Sequence, residues 1–400
     1  MRILLFNAGS SSLSFKLYEV PPGPLGTTAP QVLASGKAHR VGVTGTQVSF
    51  LELLFRGQTH HLDLPLTTHA EAAAAILDQL LPLAGQPQIL GHRFVHGGRQ
   101  FRGAALLDQA NLARLRSCLP FAPLHNPASL AVIDHCLGRF PDLPQFVALD
   151  TAFHAGLPDS SAAYPSPVFG GYRKCGFHGL SYAFVQERVA SWLGRPPAEL
   201  NLVMAHLGTG GSSACVVQGG RSLDTTMGFT PLPGLIMSTR CGDLDPLLLP
   251  ELARLADLAL PQLELQLNSR SGVLGLSAGK SADLRDLQQL ATSGDADAAR
   301  VLRQSAARTA SYLGAYLLLL PSCQALVFTD DLGARFAPLT DLICESLAFL
   351  GLRCAPSPRD LAPGLRALST PESRIPVLAV DTDEELLILR AGLPLFERYQ

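Results

Sequence analysis

The chain is poor in charge. Asp, Glu, Lys and Arg make up 16% of its 400 residues against 47% hydrophobic ones, so intrinsic disorder is excluded and sizeable cores can form. Neither sign dominates. The 31 Lys and Arg balance 33 Asp and Glu, which argues against nucleic acid or an anionic membrane as the main partner. No apolar run reaches the roughly 18 residues of a membrane span. The opening run Arg2-Ile3-Leu4-Leu5-Phe6 is cut off by Asn7, too short for a signal-peptide core, and the expected location is the cytoplasm. CxxC and zinc-finger spacings are missing. Cys118, Cys136, Cys175, Cys215, Cys241, Cys323, Cys344 and Cys354 are scattered, as expected of small buried residues in a reducing compartment. Cys241 stands beside Arg240, but packing explains it better than an activated thiol. A true P-loop is also missing: GLSAGKS at 275–281 is one residue short and follows no long strand.

What is present centres on residues 202–246. An apolar run, Leu202 to Ala205, feeds the turn Gly208-Thr209-Gly210-Gly211-Ser212-Ser213, after which Arg240, Asp243 and Asp245 crowd together. Glycines let backbone N–H groups approach an anion, hydroxyls add donors, and an arginine neutralises a transferring phosphoryl group. A glycine-rich hairpin with a surface ion pair explains this stretch alone equally well.

Four hundred residues exceed one core and predict two domains. Residues 3–6 read as a buried strand that breaks at Asn7-Ala8-Gly9-Ser10-Ser11-Ser12 and resumes at 13–18, a hairpin with a small polar turn. Helices are predicted at 69–83, 128–137, 182–193, 251–267 and 298–320, and strands at 89–98, 145–149, 324–329 and 375–380. Arg93, flanked by Phe94 and Val95, needs an internal carboxylate or an anionic ligand. Asp150 ends a strand, a usual place for catalysis in open α/β sheets, though a helix N-cap explains it as well. His178 lies between glycines just before a helix.

In order, NAGSSSLSF, GHRFVHGG, PLHNPASL, LDTAFH, GFHGLSY, HLGTGG, DTTMGFTPLPGLIMSTRCGDLDP and SGVLGLS resemble the family of acetate kinase and its short-chain carboxylate kinase relatives. That family belongs to the acetate and sugar kinase, Hsp70 and actin superfamily. The resemblance runs from Asn7 to Glu385. It implies an α/β fold of two duplicated actin-like (ribonuclease H-like) domains, with mixed five-stranded sheets flanking a hinged cleft. The implied bounds are 1–149 plus 386–400 for the first domain and 150–385 for the second, which carries the nucleotide side and a homodimer interface.

By the same resemblance, Asp150, His178 and Arg240 are the catalytic residues. Arg93, Val95, Leu124, Phe177 and Pro231 bind the carboxylate substrate and its methyl group. Ser12, Lys16, His206, Gly208, Thr209, Gly210, Asp331 and Gly333 face the nucleotide and phosphates. Asn7 and Glu384 serve Mg²⁺ (or Mn²⁺). The implied reaction is reversible in-line transfer from ATP to acetate, giving acetyl phosphate and ADP. Three positions depart from the family pattern. Ser14 stands where lysine is usual, with Lys16 on the same strand face. Thr209 replaces asparagine in HLGNG. FTDDLGAR replaces FTGGIGEN, placing Asp330 and Asp331 where bare backbone admits the adenosine. Aspartate is strained at φ > 0, so a changed loop path is expected there. The alternatives are another donor (pyrophosphate or another nucleotide), propionate or butyrate as acceptor, and a non-catalytic ligand-binding relative.

Overall fold

The structure, a computed structural model, describes residues 1–9, 11–21, 30–43, 48–123 and 125–399. It divides into two compact units, Met1–Phe153 with Asp383–Gln400, and His154–Thr382.

In the first unit the strands are β1 (Arg2–Ala8), β2 (Ser12–Glu19), β3 (Gln31–His39), β4 (Phe50–Phe55), β5 (Gln58–Asp63), β6 (Ile89–Phe94), β7 (Ala105–Leu106) and β8 (Gln145–Leu149). They lie in the order β5-β4-β3-β2-β1-β6-β8-β7. β1 runs antiparallel to β2, with Asn7 opposite Ser14, and parallel to β6, which is parallel to β8. The central strands are nearly continuous apolar runs because both faces are covered. Leu4 and Phe6 pack with Ala73, Ile76, Leu77 and Leu80 of the helix His69–Ala84. Since side chains alternate along a strand, Leu5 points the other way. On that side the helix Glu384–Gly392 closes on the sheet, with Gly392 against the Phe146 ring.

The second unit contains β9 (Leu202–Gly208), β10 (Gly211–Gln218), β11 (Arg221–Thr225), β12 (Ala325–Thr329), β13 (Cys354–Ala362), β14 (Leu365–Ser369) and β15 (Val377–Val380), in the order β11-β10-β9-β12-β15-β14-β13. Its first five strands repeat the β3-β2-β1-β6-β8 plan. An antiparallel hairpin is followed by two strands parallel to its first member. The long helix Ala296–Leu318 buries Val301, Leu302, Ala306 and Leu313 against Val203, Val216, Leu326 and Phe328.

The duplicated mixed α/β plan is as expected, but the sheets hold eight and seven strands rather than five. The β4–β5 hairpin pairs onto β3, β7 onto β8, and β14 with β13 onto β15. Each addition satisfies backbone groups that an edge strand would leave open. The helix expected at 251–267 is two, Leu248–Ala256 and Leu260–Ser269. Asp257 turns left-handed at φ +49°, and Pro261, which has no N–H to donate, is accommodated in the first turn of the new helix. No helix among the described residues is long and apolar enough to cross a membrane.

Where β1, β6 and β8 meet, a Cβ on Gly91 would lie 2.4 Å from the Phe146 ring and 2.5 Å from Leu5. Gly91→Ala should therefore cost about 1–3 kcal/mol through overpacking. A urea midpoint equal to that of the parent chain would show that the sheet yields there.

Candidate active site

The first unit gathers its charged residues at the ends of β1, β6 and β8. Arg93, on β6, meets Asp150 just beyond β8 in a two-pronged pair: Nε to Oδ1 at 2.8 Å and NH2 to Oδ2 at 2.6 Å. Their side chains are 16% and 2% exposed. The guanidinium's third edge donates to Asn7 Oδ1 at 2.8 Å and lies 3.4 Å from Glu384. Burial alone would lower the Arg93 pKa, but Asp150, Glu384 and Glu385 outweigh it and hold it raised. Such a buried pair fixes both side chains, because removing either leaves an uncompensated charge. The internal carboxylate that Arg93 needs is thus Asp150.

Lys16 reaches across to Asp383 at 2.8 Å and Glu385 at 3.3 Å. Burial works against its charge, while Glu385 and Asp383 prevail and raise its pKa. Asn7 Nδ2 donates to Glu385 at 3.1 Å and Glu384 at 3.4 Å. Sequence reading missed Asp383 and Glu385. The signal was present in the acidic run after β15, opposite a lysine displaced by two residues on β2. Ser12 opens β2 and accepts Gly9 N–H at its carbonyl, 2.8 Å, shaping the turn.

The second unit builds its site around the glycine turn between β9 and β10. Arg240 extends from the following loop and donates to Pro231 O at 2.8 Å and Gly210 O at 2.6 Å. It forms no ion pair among the described residues, so the surface-pair reading of this arginine fails. Burial lowers its pKa to about 10, the expected response of a cation held without a counter-ion. His178 caps the helix Gly179–Leu193 in a left-handed conformation, φ +57°. Its Nδ1 is 2.8 Å from Ser213 Oγ, which is 2.5 Å from the Tyr182 hydroxyl. The imidazole stacks on His206 with 4.0 Å between centroids. Gly211 lets the two catalytic candidates converge: a Cβ there would sit 2.5 Å from Arg240 NH2 and 3.5 Å from His178 Nε2.

The two aspartates close on the same turn. Asp330 Oδ2 lies 3.1 Å from His206 Nε2 and would be 1.9 Å from a Cβ on Gly208. Asp331 takes the Thr209 N–H and hydroxyl, both at 3.0 Å, and pairs with Arg285 at 3.4 Å. The strain expected of aspartate at φ > 0 falls on Asp330. Asp330 occupies the left-handed region itself, φ +68°, which aspartate tolerates better than most residues. Beside the turn, a cavity of about 20 Å³ is bounded by Gly208, Ser212, Leu284, Leu332 and Leu339.

Phe177 is buried, and its carbonyl lies 3.0 Å from His154 Nε2. Pro231 is bound to Arg240 as above, and Val95 is buried in the first unit. Leu124 lies outside the described residues. Gly333 does not line the turn: in the helix Asp330–Arg335 it faces β9, where a Cβ would be 3.4 Å from Leu207. Cys241 has its thiol pushed up by burial, in keeping with packing. Lys280, in the Walker-like segment, pairs with Asp295 at 2.5 Å.

Comparison with known proteins covers the same ground. The family model described as the acetokinase family matches residues 2–390. An acetate kinase from Deinococcus deserti is 40% identical over 98% of this chain and 96% of its own, and one from Dictyoglomus thermophilum is 36% identical over 98% of each. Among solved structures, the acetate kinase of Porphyromonas gingivalis superposes with a TM-score of 0.85 at 30% identity, over 99% of this chain and 100% of its own. A propionate kinase from Francisella tularensis gives 0.87 at 31%, over 98% of each chain. With a glycine turn faced by an arginine that has no ion pair among the described residues, and a family match over nearly its whole length, the chain belongs to the acetokinase family.

Proposed function

We propose that this chain transfers a phosphoryl group between ATP and acetate, forming acetyl phosphate and ADP. The observation that carries the reading is Arg240, a half-buried cation that among the described residues donates to two carbonyls and to no carboxylate, where an anion would complete it. Acetate is already ionised at neutral pH, so no strong base is required, and the barrier lies in bringing an anion to a polyanion. A carboxylate oxygen attacks the terminal phosphorus in line as its bond to the ADP oxygen breaks. Arg240 and His178 would steady the charge on the phosphoryl oxygens, an effect worth about 10³–10⁵ in rate for comparable arginines. Arg93, held by Asp150, would orient the carboxylate. Val95, Leu124, Phe177 and Pro231 would receive the methyl group. Apolar contacts discriminate a methylene by only about 1–3 kcal/mol, so propionate is the acceptor to compare first.

Mg²⁺ (or Mn²⁺) is the metal this chemistry implies. Among the described residues no three ligating side chains converge on one ion. Mg²⁺, however, commonly takes one or two protein carboxylates and completes its shell with water and phosphate. Asp150, Asp383, Glu384 and Glu385 outnumber Arg93 and Lys16 by two charges, and their oxygens suit a hard divalent ion. Asn7 and Glu384 would hold it. When bound, the ion would neutralise phosphate charge.

A second reading concerns the donor. Asp330 and Asp331 already occupy His206 and Thr209, and Arg285 ties Asp331 down. On this reading the two carboxylates crowd the turn where a nucleoside would lie, so pyrophosphate, which carries none, is the donor to compare with ATP.

The chain would work as a homodimer in the cytoplasm. Leu247 (77%), just before the helix Leu248–Ala256, Leu255 (67%) within it and Leu260 (77%), which opens the helix Leu260–Ser269, are exposed leucines suited to meeting a second copy.

A hydroxamate assay for acetyl phosphate with ATP, GTP and pyrophosphate should show turnover with at least one donor. Folded protein inactive with all three would sink the reading. Arg240→Ala should lower turnover by about 10³-fold or more with the fold intact; an unchanged rate would remove Arg240 from the chemistry. Replacing Asp330 and Asp331 with glycine should raise ATP use relative to pyrophosphate, and an unaltered donor preference would show that the two carboxylates do not select the donor. Light scattering should give twice the 42.5 kDa chain mass, with Leu255→Glu plus Leu260→Glu halving it. A parent chain that scatters as a monomer would dismiss these leucines as an interface.

A further inference from the structure

The loop that presents Arg240 is fastened at its base by one carboxylate. Gly234 N–H donates to Asp243 Oδ1 at 2.8 Å, and Asp243 N–H donates to Gly234 O at 3.1 Å. The two ends of the ten-residue segment 234–243 are therefore joined through Asp243. Within it, Met237 N–H donates to Arg240 O at 3.2 Å. The segment has little room to shift. Gly234 has φ +103°, with Thr226 2.7 Å from where a Cβ would be, and Gly242 has φ +71°, with Leu235 O at 2.5 Å. The far side is tied as well, since Val273 N–H donates to Met237 O at 2.9 Å and Ser271 N–H to Thr239 O at 2.9 Å.

The other carboxylate oxygen faces the long helix Ala296–Leu318. Asp243 Oδ2 accepts the Tyr312 hydroxyl and lies 3.4 Å from Arg308 NH1. That helix is anchored through Leu302, Ala306 and Leu313 in the core of the second unit. Burial, and then the Asp243 charge, push the Tyr312 hydroxyl up, so it remains protonated and able to donate. The charge on Asp243 is thus directed to Tyr312 and Arg308, although Arg240 is only three residues away in sequence. Paired with Asp243, Arg240 would be neutral overall and a poor anion receptor.

We propose that Asp243 is a positioning residue for phosphoryl transfer: clamped by Tyr312 and Arg308, it closes the loop on Gly234 and sets the Arg240 guanidinium against Gly210 and Pro231. The proposal rests on the phosphoryl-transfer reading of Arg240. It assigns Tyr312 and Arg308, far along the chain, a part in the site's geometry without contact to substrate.

Misplacement by about 1 Å can cost about 10²-fold in rate. Asp243→Ala should therefore lower kcat by about that factor while KM for acetate and for the donor stays within about threefold. Asp243→Asn, which keeps an acceptor for Gly234, should recover part of the loss. Tyr312→Phe, which removes a single hydroxyl, should lose about tenfold at unchanged melting temperature. The deciding measurement is a double-mutant cycle, because residues acting as one unit are not additive. Arg240→Lys with Asp243→Ala should be within about threefold of Arg240→Lys alone. Arg240→Lys at the parent rate would sink the phosphoryl-transfer role of Arg240 and the proposal with it. A slow Arg240→Lys whose loss multiplies fully with that of Asp243→Ala would overturn the positioning role alone. Parent-like rates in both Asp243→Asn and Tyr312→Phe would do the same. Independently of turnover, the thermal shift given by inorganic phosphate should shrink alike in Arg240→Ala and Asp243→Ala. A shift retained in Asp243→Ala counts against the clamp.

Discussion

A half-buried guanidinium with no counter-ion among the described residues is the constraint on which the second unit's site depends. Carbonyl dipoles from Pro231 and Gly210 hold Arg240 in direction but leave its charge uncompensated, and its pKa falls in consequence. Arg93 is the opposite case, equally sequestered but bound edge to edge with Asp150. The difference is functional in kind. A neutralised arginine is a rigid frame with one donor edge to spare, whereas an unpaired one is a receptor. Gly211 has to be bare for this arrangement to exist, because any side chain would take the space that Arg240 and His178 use.

The repeated topology explains how one plan yields two different chemistries. In each unit a hairpin turn follows the first strand, and an aspartate follows the strand at the far side of the parallel set: Asp150 after β8, Asp381 after β15. In the first unit the neighbours are Arg93, Lys16 and three further carboxylates, leaving a surplus of negative charge suited to a cation. In the second, Asp381 is taken by Arg366 at 3.1 Å and Arg335 at 3.3 Å, and the turn is left to histidines and Arg240. Duplication supplied the positions, and side chains at strand ends decided the sign of what each binds.

Much of this was legible in the chain. The apolar runs of β1, β8, β9 and β12 mark central strands because both faces are buried, and the small polar turns after β1 and β9 stand out against them. Arg93 announced its need for a carboxylate by its apolar neighbours. What was not legible is pairing over long separations. Lys16 finds Asp383 across 367 positions, and Thr209 finds Asp331 across 122. The acidic run after β15 and the double aspartate at 330–331 stand out locally, but nothing local says which distant residue each will meet. The break at 257–261 was readable from Pro261 but was masked by continuous leucine periodicity on either side. The roles of individual residues came from the family resemblance, and their partners came from the structure.

The aspartate at position 330 holds a backbone conformation that favours glycine. A left-handed backbone costs a non-glycine residue roughly 1–2 kcal/mol, least for aspartate and asparagine. That cost is met locally, since the same carboxylate lies against His206 Nε2, 3.1 Å away. His206 is in turn fixed by Ser181 at 2.9 Å and by stacking on His178. The position therefore combines a left-handed backbone with a charge placed over Gly208. His178 stacks on this array and shares the space over bare Gly211 with Arg240, so Asp330, His206 and His178 form one contiguous set. A substitution at position 330 therefore acts on the surroundings of His178 as well as on the space beside the turn.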